Sequence, residues 1–187
     1  MRMKRITANI VIIGLALGLQ CSATHSGGTP AEIISRYCSL DSTGARLGSA
    51  SYEAVSPLVT WDMEGGWDCL DVIAGFRIEP PLMDSDSSAS VVVSYDLLGF
   101  LGGSTWHGVG ADSVRSHRET VSFRLLHDSR LGWRIDHPMI RPHVSLSATV
   151  SHIERLFAME PNRSVSDPEL AGALATLRLL QRESARE

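Results

Sequence analysis

The groups in this chain best able to move a proton are two tyrosines and an aspartate that periodicity places together. Tyr37 and Asp41 lie one turn apart on a predicted helix, and Tyr95 shares a strand face with Val93 and Leu97, so all three are pocket candidates. A buried carboxyl with a raised pKa beside tyrosine hydroxyls can transfer a proton next to a substrate carbonyl. The same spacings suit core-edge aromatics and a helix-terminal aspartate. Asp96, although adjacent to Tyr95, points to the opposite strand face.

His107, His117, His127, His137 and His143 crowd one stretch and invite a metal reading. No two of them stand three or four residues apart, as ligands sharing a helix face do, so no metal and no other cofactor is expected. Gly99 to Gly110 surrounds Trp106 and His107 with glycine but matches neither a dinucleotide fingerprint nor a phosphate loop. Its length makes Trp106 and His107 a candidate lid or binding loop.

Cys38 and Cys69 are a candidate disulfide. Closing their separation stabilises a fold by about 3 to 4 kcal/mol in the chain-entropy model. Strand register opposes the bridge: Cys69 falls on the face opposite Leu70 and Val72, so the thiols diverge if the first helix packs on the Leu70 face.

The elements that must position these groups are legible. Thr29-Pro30-Ala31-Glu32 has the threonine, proline and glutamate of a capping box, followed by Ile33, Ile34, Tyr37, Cys38 and Asp41 at helical spacing and an end near Ser42 to Gly44. A short second helix is read from Ser51 through Val59, interrupted by Pro57. From Trp67 the period becomes two, with Leu70, Val72, Ala74, Phe76 and Ile78 on one face of a long strand that ends at Pro80-Pro81. Asp84 to Ser90 reads as a polar loop and Val91 to Leu98 as the next strand. Val121 to Leu125 and Trp133 to Asp136 form a hairpin that turns at Gly132. Leu146, Val150, Ile153 and Phe157 mark a further helix. A last one starts at Asp167-Pro168-Glu169 and carries Leu170, Leu174, Leu177 and Leu180 on one face, a candidate protein-interaction surface.

The amino-terminal end has the layout of an export signal: Arg2, Lys4 and Arg5, then the uncharged run Ile10 to Leu19, then Cys21 and Ala23 before an expected cleavage at Ala23. The run is too short for a membrane anchor, about 15 Å at ~1.5 Å per residue against a hydrocarbon core of ~30 Å. Gln20 stands where a lipoprotein signal wants a small residue, which argues against lipidation at Cys21. Cleavage would leave 14 basic and 21 acidic residues, a net charge of −7, so nucleic acid is not an expected partner. All 14 are arginine, because Lys4 is the only lysine. Schiff-base, P-loop and Ser-x-x-Lys chemistries are thereby excluded from the processed chain.

An amino-terminal helix, a long strand and antiparallel strands closing on Val-Ser-Phe-Arg-Leu-Leu and Gly-Trp-Arg-Ile-Asp (Val121 to Leu126, Gly132 to Asp136) resemble the NTF2-like superfamily, also called SnoaL-like or cystatin-like α+β. The resemblance covers Pro30 to Leu40, Trp67 to Ile78, Val91 to Leu98 and Val121 to Asp136. It implies an α+β domain over residues 29–160, a curved antiparallel sheet wrapped around the first helix with a pocket at the open end of the cone. The segments after Pro142, including a carboxy-terminal helix over 165–187, then read as additions. Members include isomerases and dehydratases as well as non-catalytic modules, and no catalytic motif of an enzyme branch is matched here. The expectation is a non-catalytic binding or accessory module exported to the bacterial cell envelope. The alternatives are a small pocket enzyme acting on an apolar molecule, and an interaction module using the last helix.

Overall fold

The computed structural model describes residues 28–48, 52–108, 117–160 and 162–186. The expected signal at 1–23, with Cys21, lies outside the described residues.

Helix α1 (Pro30–Ser42) begins on the expected box: Thr29 Oγ1 accepts from the Glu32 backbone N–H, and Glu32 Oε2 accepts from that of Thr29 at 2.6 Å. It ends through Gly44, whose φ of 84° is a left-handed conformation that glycine adopts without a Cβ penalty. That turn brings Arg46 back within hydrogen-bond reach of Tyr37 and Asp41 on the helix itself. Helix α2 (Tyr52–Val55) runs into a 3-10 turn over Ser56–Leu58, with Pro57 inside it. The expected start at Ser51 lies outside the described residues.

Seven strands follow: β1 (Cys69–Ile78), β2 (Leu82–Ser85), β3 (Ser88–Gly102), β4 (Thr105–Gly108), β5 (His117–Asp128), β6 (Gly132–His137) and β7 (His143–Ser145). The path through the sheet is β6-β5-β3-β1-β7, and β3 is its spine. Most residues of β3 that pair with β5 also pair with β2 or β1, and those that pair with β4 also pair with β1. One edge of β3 therefore carries β1 and β2, the other β5 and β4. The result is an α+β fold with a strongly curled, mostly antiparallel sheet, a half-barrel. Helices α3 (Leu146–Met159), α4 (Arg163–Ser166) and α5 (Pro168–Ser184) complete it, with Ser145 and Asp167 side chains capping α3 and α5.

Three expectations change. Asp84 to Ser90 is not a polar loop but a tight β2–β3 hairpin, and β3 extends to Gly102. The chain after Pro142 is not simply appended, because β7 pairs in parallel with β1, Asp71 opposite His143. The alternation of β1 breaks at two bulges, Ala74 on β1 and Leu98 on β3, where register shifts separate Val72, Ile73 and Gly75. An extra residue moves all later side chains to the other face. Leu70 and Val72 thus face one core, while Ile73, Phe76 and Ile78 face another.

Each face of the sheet has its own core. Under α1, Ile33, Ile34, Tyr37 and Cys38 meet Ile73, Val91, Val93, Tyr95, Val121, Phe123, Leu125 and Ile135. On the other face, Leu70, Val72, Leu98 and Leu101 meet Val144, Val150 and Ile153 of the β7–α3 segment and the leucines of α5. Leu170, Leu174, Leu177 and Leu180 are all buried there, so the amphipathic stripe of the last helix is spent within the chain rather than offered to a partner.

Candidate ligand-binding site

A cavity of about 400 Å³ opens between the start of β1, the inner face of α3 and the segments 46–48 and 64–68. Leu70, Leu101, Ile153, Leu156 and Leu170 give it an apolar wall. Glu64, Trp67, Asp68, Ser104, His152 and Arg163 supply polar groups around it. Its volume falls near the lower end of small-molecule sites, roughly 300–1,000 Å³, and the mixture of apolar wall and a few polar groups is what such sites share.

Helix termini and one guanidinium hold the lining in place. Ser104 Oγ donates to Asp167 Oδ2 at 2.5 Å and Thr105 Oγ1 to Glu169 Oε2 at 2.6 Å, which ties the β3–β4 turn to the first turn of α5. Gly99 of β3 and Gly108 of β4 approach so closely that a Cβ on Gly99 would lie 2.4 Å from the Gly108 Cα; no other residue fits this pair. Arg46 forms the inner wall. Its Nε and Nη2 donate to the two Glu64 oxygens at 3.0 and 2.5 Å, Nη1 donates to Tyr37 Oη at 2.8 Å and Asp41 Oδ2 at 3.3 Å, and Nη2 also donates to the Ile140 carbonyl. All five guanidinium N–H groups are thereby used. Trp67 Nε1 donates to Glu64 Oε1 at 3.0 Å, extending the wall to the cavity rim.

The pocket candidates from the sequence lie behind this wall. Tyr37, Asp41 and Tyr95 are 0, 1 and 1 % exposed, and none of them lines the cavity. Tyr37 packs edge-on against Phe123, with ring centroids 5.8 Å apart, inside the buried core under α1. Burial pushes Asp41 up to about 7, against the Arg46 guanidinium and the His143 backbone N–H that favour its charged form. Its Oδ1 has no hydrogen-bond partner among the described residues. Burial likewise raises both tyrosine hydroxyls. These groups have perturbed proton affinities and no route to a ligand in the cavity, which removes the geometric support for the Tyr37, Asp41 and Tyr95 enzyme reading.

The disulfide expectation is corrected as well: Cys38 and Cys69 are both free thiols. Helix α1 packs on the Ile73 face rather than the Leu70 face, yet Cys38 Sγ is turned to Tyr95 Oη at 3.4 Å. Burial pushes the Cys38 thiol up to about 12. Cys69 is half-buried at the first position of β1 and lines the cavity. Trp106 and His107 belong to β4 rather than to a loose lid: Trp106 packs against the α3–α5 core and His107 stacks on Phe100 at 4.7 Å. Residues 109–116, the rest of that expected loop, lie outside the described residues.

Sequence reasoning missed Arg46, Glu64 and Asp68. The signal available was Gly44, whose helix-stop geometry returns the chain onto α1; nothing local pairs Arg46 with Glu64, 18 residues away. Set against protein-family models, curated proteins and solved structures, the chain has no match in any of the three.

Proposed function

We propose that this protein is an exported, NTF2-like, non-catalytic binding module of a cell envelope, and that the cavity between β1 and α3 takes a small ligand with an apolar body and a polar end. The observation that carries the reading is the cavity itself, about 400 Å³ against an apolar wall with Glu64, Trp67, His152 and Arg163 around it. Export is supported by the cationic start and the apolar run Ile10 to Leu19, and a non-catalytic role by the isolation of the buried acid–base groups from the cavity. Native mass spectrometry of the protein taken from its own envelope tests both halves at once. The expected mass corresponds to a chain beginning at Thr24 plus a bound small molecule. A full-length chain contradicts export, and an empty chain contradicts ligand binding.

A further inference from the structure

We propose that Asp71, Glu119 and His143 form a divalent-cation site, for Zn²⁺ or a cation of similar ligand preference, beside Tyr95 on the α1 side of the sheet and outside the lining of the cavity. The three come from three strands. Asp71 of β1 stands directly opposite His143 of β7, and Glu119 of β5 stands opposite Tyr95 of β3, the strand between β5 and β1. Curling of the sheet brings one ligand atom from each to within 4.8 Å of the other two.

The histidine supplies the independent observation. His143 Nδ1 lies 2.9 Å from the Arg141 carbonyl, which can only accept, so Nδ1 carries the proton and Nε2 presents a lone pair. That Nε2 is buried, in a side chain only 2 % exposed, and has no hydrogen-bond partner among the described residues. Asp71 Oδ2, another acceptor, lies 3.6 Å from it. A lone pair aimed at carboxylates is costly to bury unless something positive lies between them. A metal-bound imidazole ordinarily donates its other N–H to a backbone carbonyl, the arrangement seen at Nδ1. Stacking on Tyr95 at 4.1 Å fixes the ring plane, and Arg141 Nε donates to Asp71 Oδ2, orienting the carboxylate.

One imidazole and two carboxylates suit zinc and manganese better than soft or all-oxygen cations. Ligands about 2.0–2.2 Å from a tetrahedral ion lie roughly 3.5 Å apart, so the group must draw in slightly on binding. Glu119, the least buried of the three, supplies that movement. The bound ion would join β5 to β1 and β7 across the face of β3, beside Tyr95.

The test uses the full processed chain, stripped with a chelator and titrated with Zn²⁺ by calorimetry and with Co²⁺ by visible absorption. One-to-one binding is expected, with a rise in Tm and a Co²⁺ spectrum that disappears in His143→Gln. Glu119→Gln, at a half-exposed position, should leave the metal-free Tm unchanged while weakening Zn²⁺ at least tenfold. No saturable binding overturns the proposal, since the three groups then share only a proton. Equal binding by wild type and Glu119→Gln also overturns it, because the ion then sits on surface histidines such as His107 or His117.

Discussion

Under α1 the sheet carries a closed core in which Tyr37, Phe123 and Tyr95 are buried, and Tyr37, Asp41 and Tyr95 are sealed from solvent there. On the other face β1, α3 and α5 bury a leucine-rich core yet leave a cavity beside segments 46–48 and 64–68. Arg46 is common to both, binding Tyr37 and Asp41 on the closed side and Glu64 at the cavity. Tyr37, Asp41 and Tyr95 thus hold perturbed proton affinities outside the cavity lining, whereas the cavity has titratable groups of its own, Glu64, Asp68 and His152 among them.

The largest effect expected is on the shared wall. Arg46→Leu strands Asp41 and Glu64 and should cost about 3–5 kcal/mol in urea unfolding. Arg178→Leu, which breaks the exposed pair with Glu154, should change stability by less than about 1 kcal/mol.

Acid exposes the closed side next. His143, with its pKa lowered to about 4 from an ordinary 6.5, disfavours the folded state as pH falls from about 6.5 to 4, because only the unfolded chain gains a proton there. Asp41, raised from 3.8 to about 7, acts in the opposite sense: the folded state holds a proton that the unfolded chain has released, so this contribution grows as pH falls from about 7 to 3.8. The two oppose each other in the wild type. In Asp41→Asn that opposition is removed, so the stability of wild type relative to the variant, read from urea midpoints, should rise as pH falls from about 7 to 4. A pH-independent difference would show that Asp41 is not held protonated.

Packing separates the two faces more modestly. Val93→Phe on the closed side should cost about 1–3 kcal/mol, whereas Leu156→Trp, directed into the cavity, should cost less than about 1 kcal/mol by thermal denaturation. The smallest effect is chemical. Native protein should react with a thiol reagent at Cys69 alone, Cys38 becoming reactive only on unfolding, and two unreactive sulfurs in the unfolded chain would mean a disulfide.

Local signals in the sequence marked the elements well. The capping box at Thr29, the cap at Asp167, the helical stripe from Leu146 and the turn at Gly132 all fall where spacing placed them. What escaped was non-local. Bulges at Ala74 and Leu98 each add one residue without changing composition, so strict alternation assigned Phe76 and Ile78 to the wrong face. Strand β7 is three residues long, too short for any period to show, yet it brings His143 opposite Asp71. The histidine spacing that argued against a metal could register only ligands close in sequence, whereas Asp71, Glu119 and His143 meet through the curl of the sheet. The cavity is bounded by pieces of the chain from Arg46 to Leu170 and has no local signature.

The central claim is that an apolar small molecule binds on the cavity side and not in the space under α1. Fluorescence titration with N-phenyl-1-naphthylamine, a small apolar probe, of wild type, Leu156→Trp and Tyr95→Phe tests it directly. Saturable one-to-one binding is expected in wild type and in Tyr95→Phe, weakened at least tenfold, roughly the loss of 1.4 kcal/mol, in Leu156→Trp. Binding that survives Leu156→Trp and is lost in Tyr95→Phe would contradict the account and place the ligand under α1.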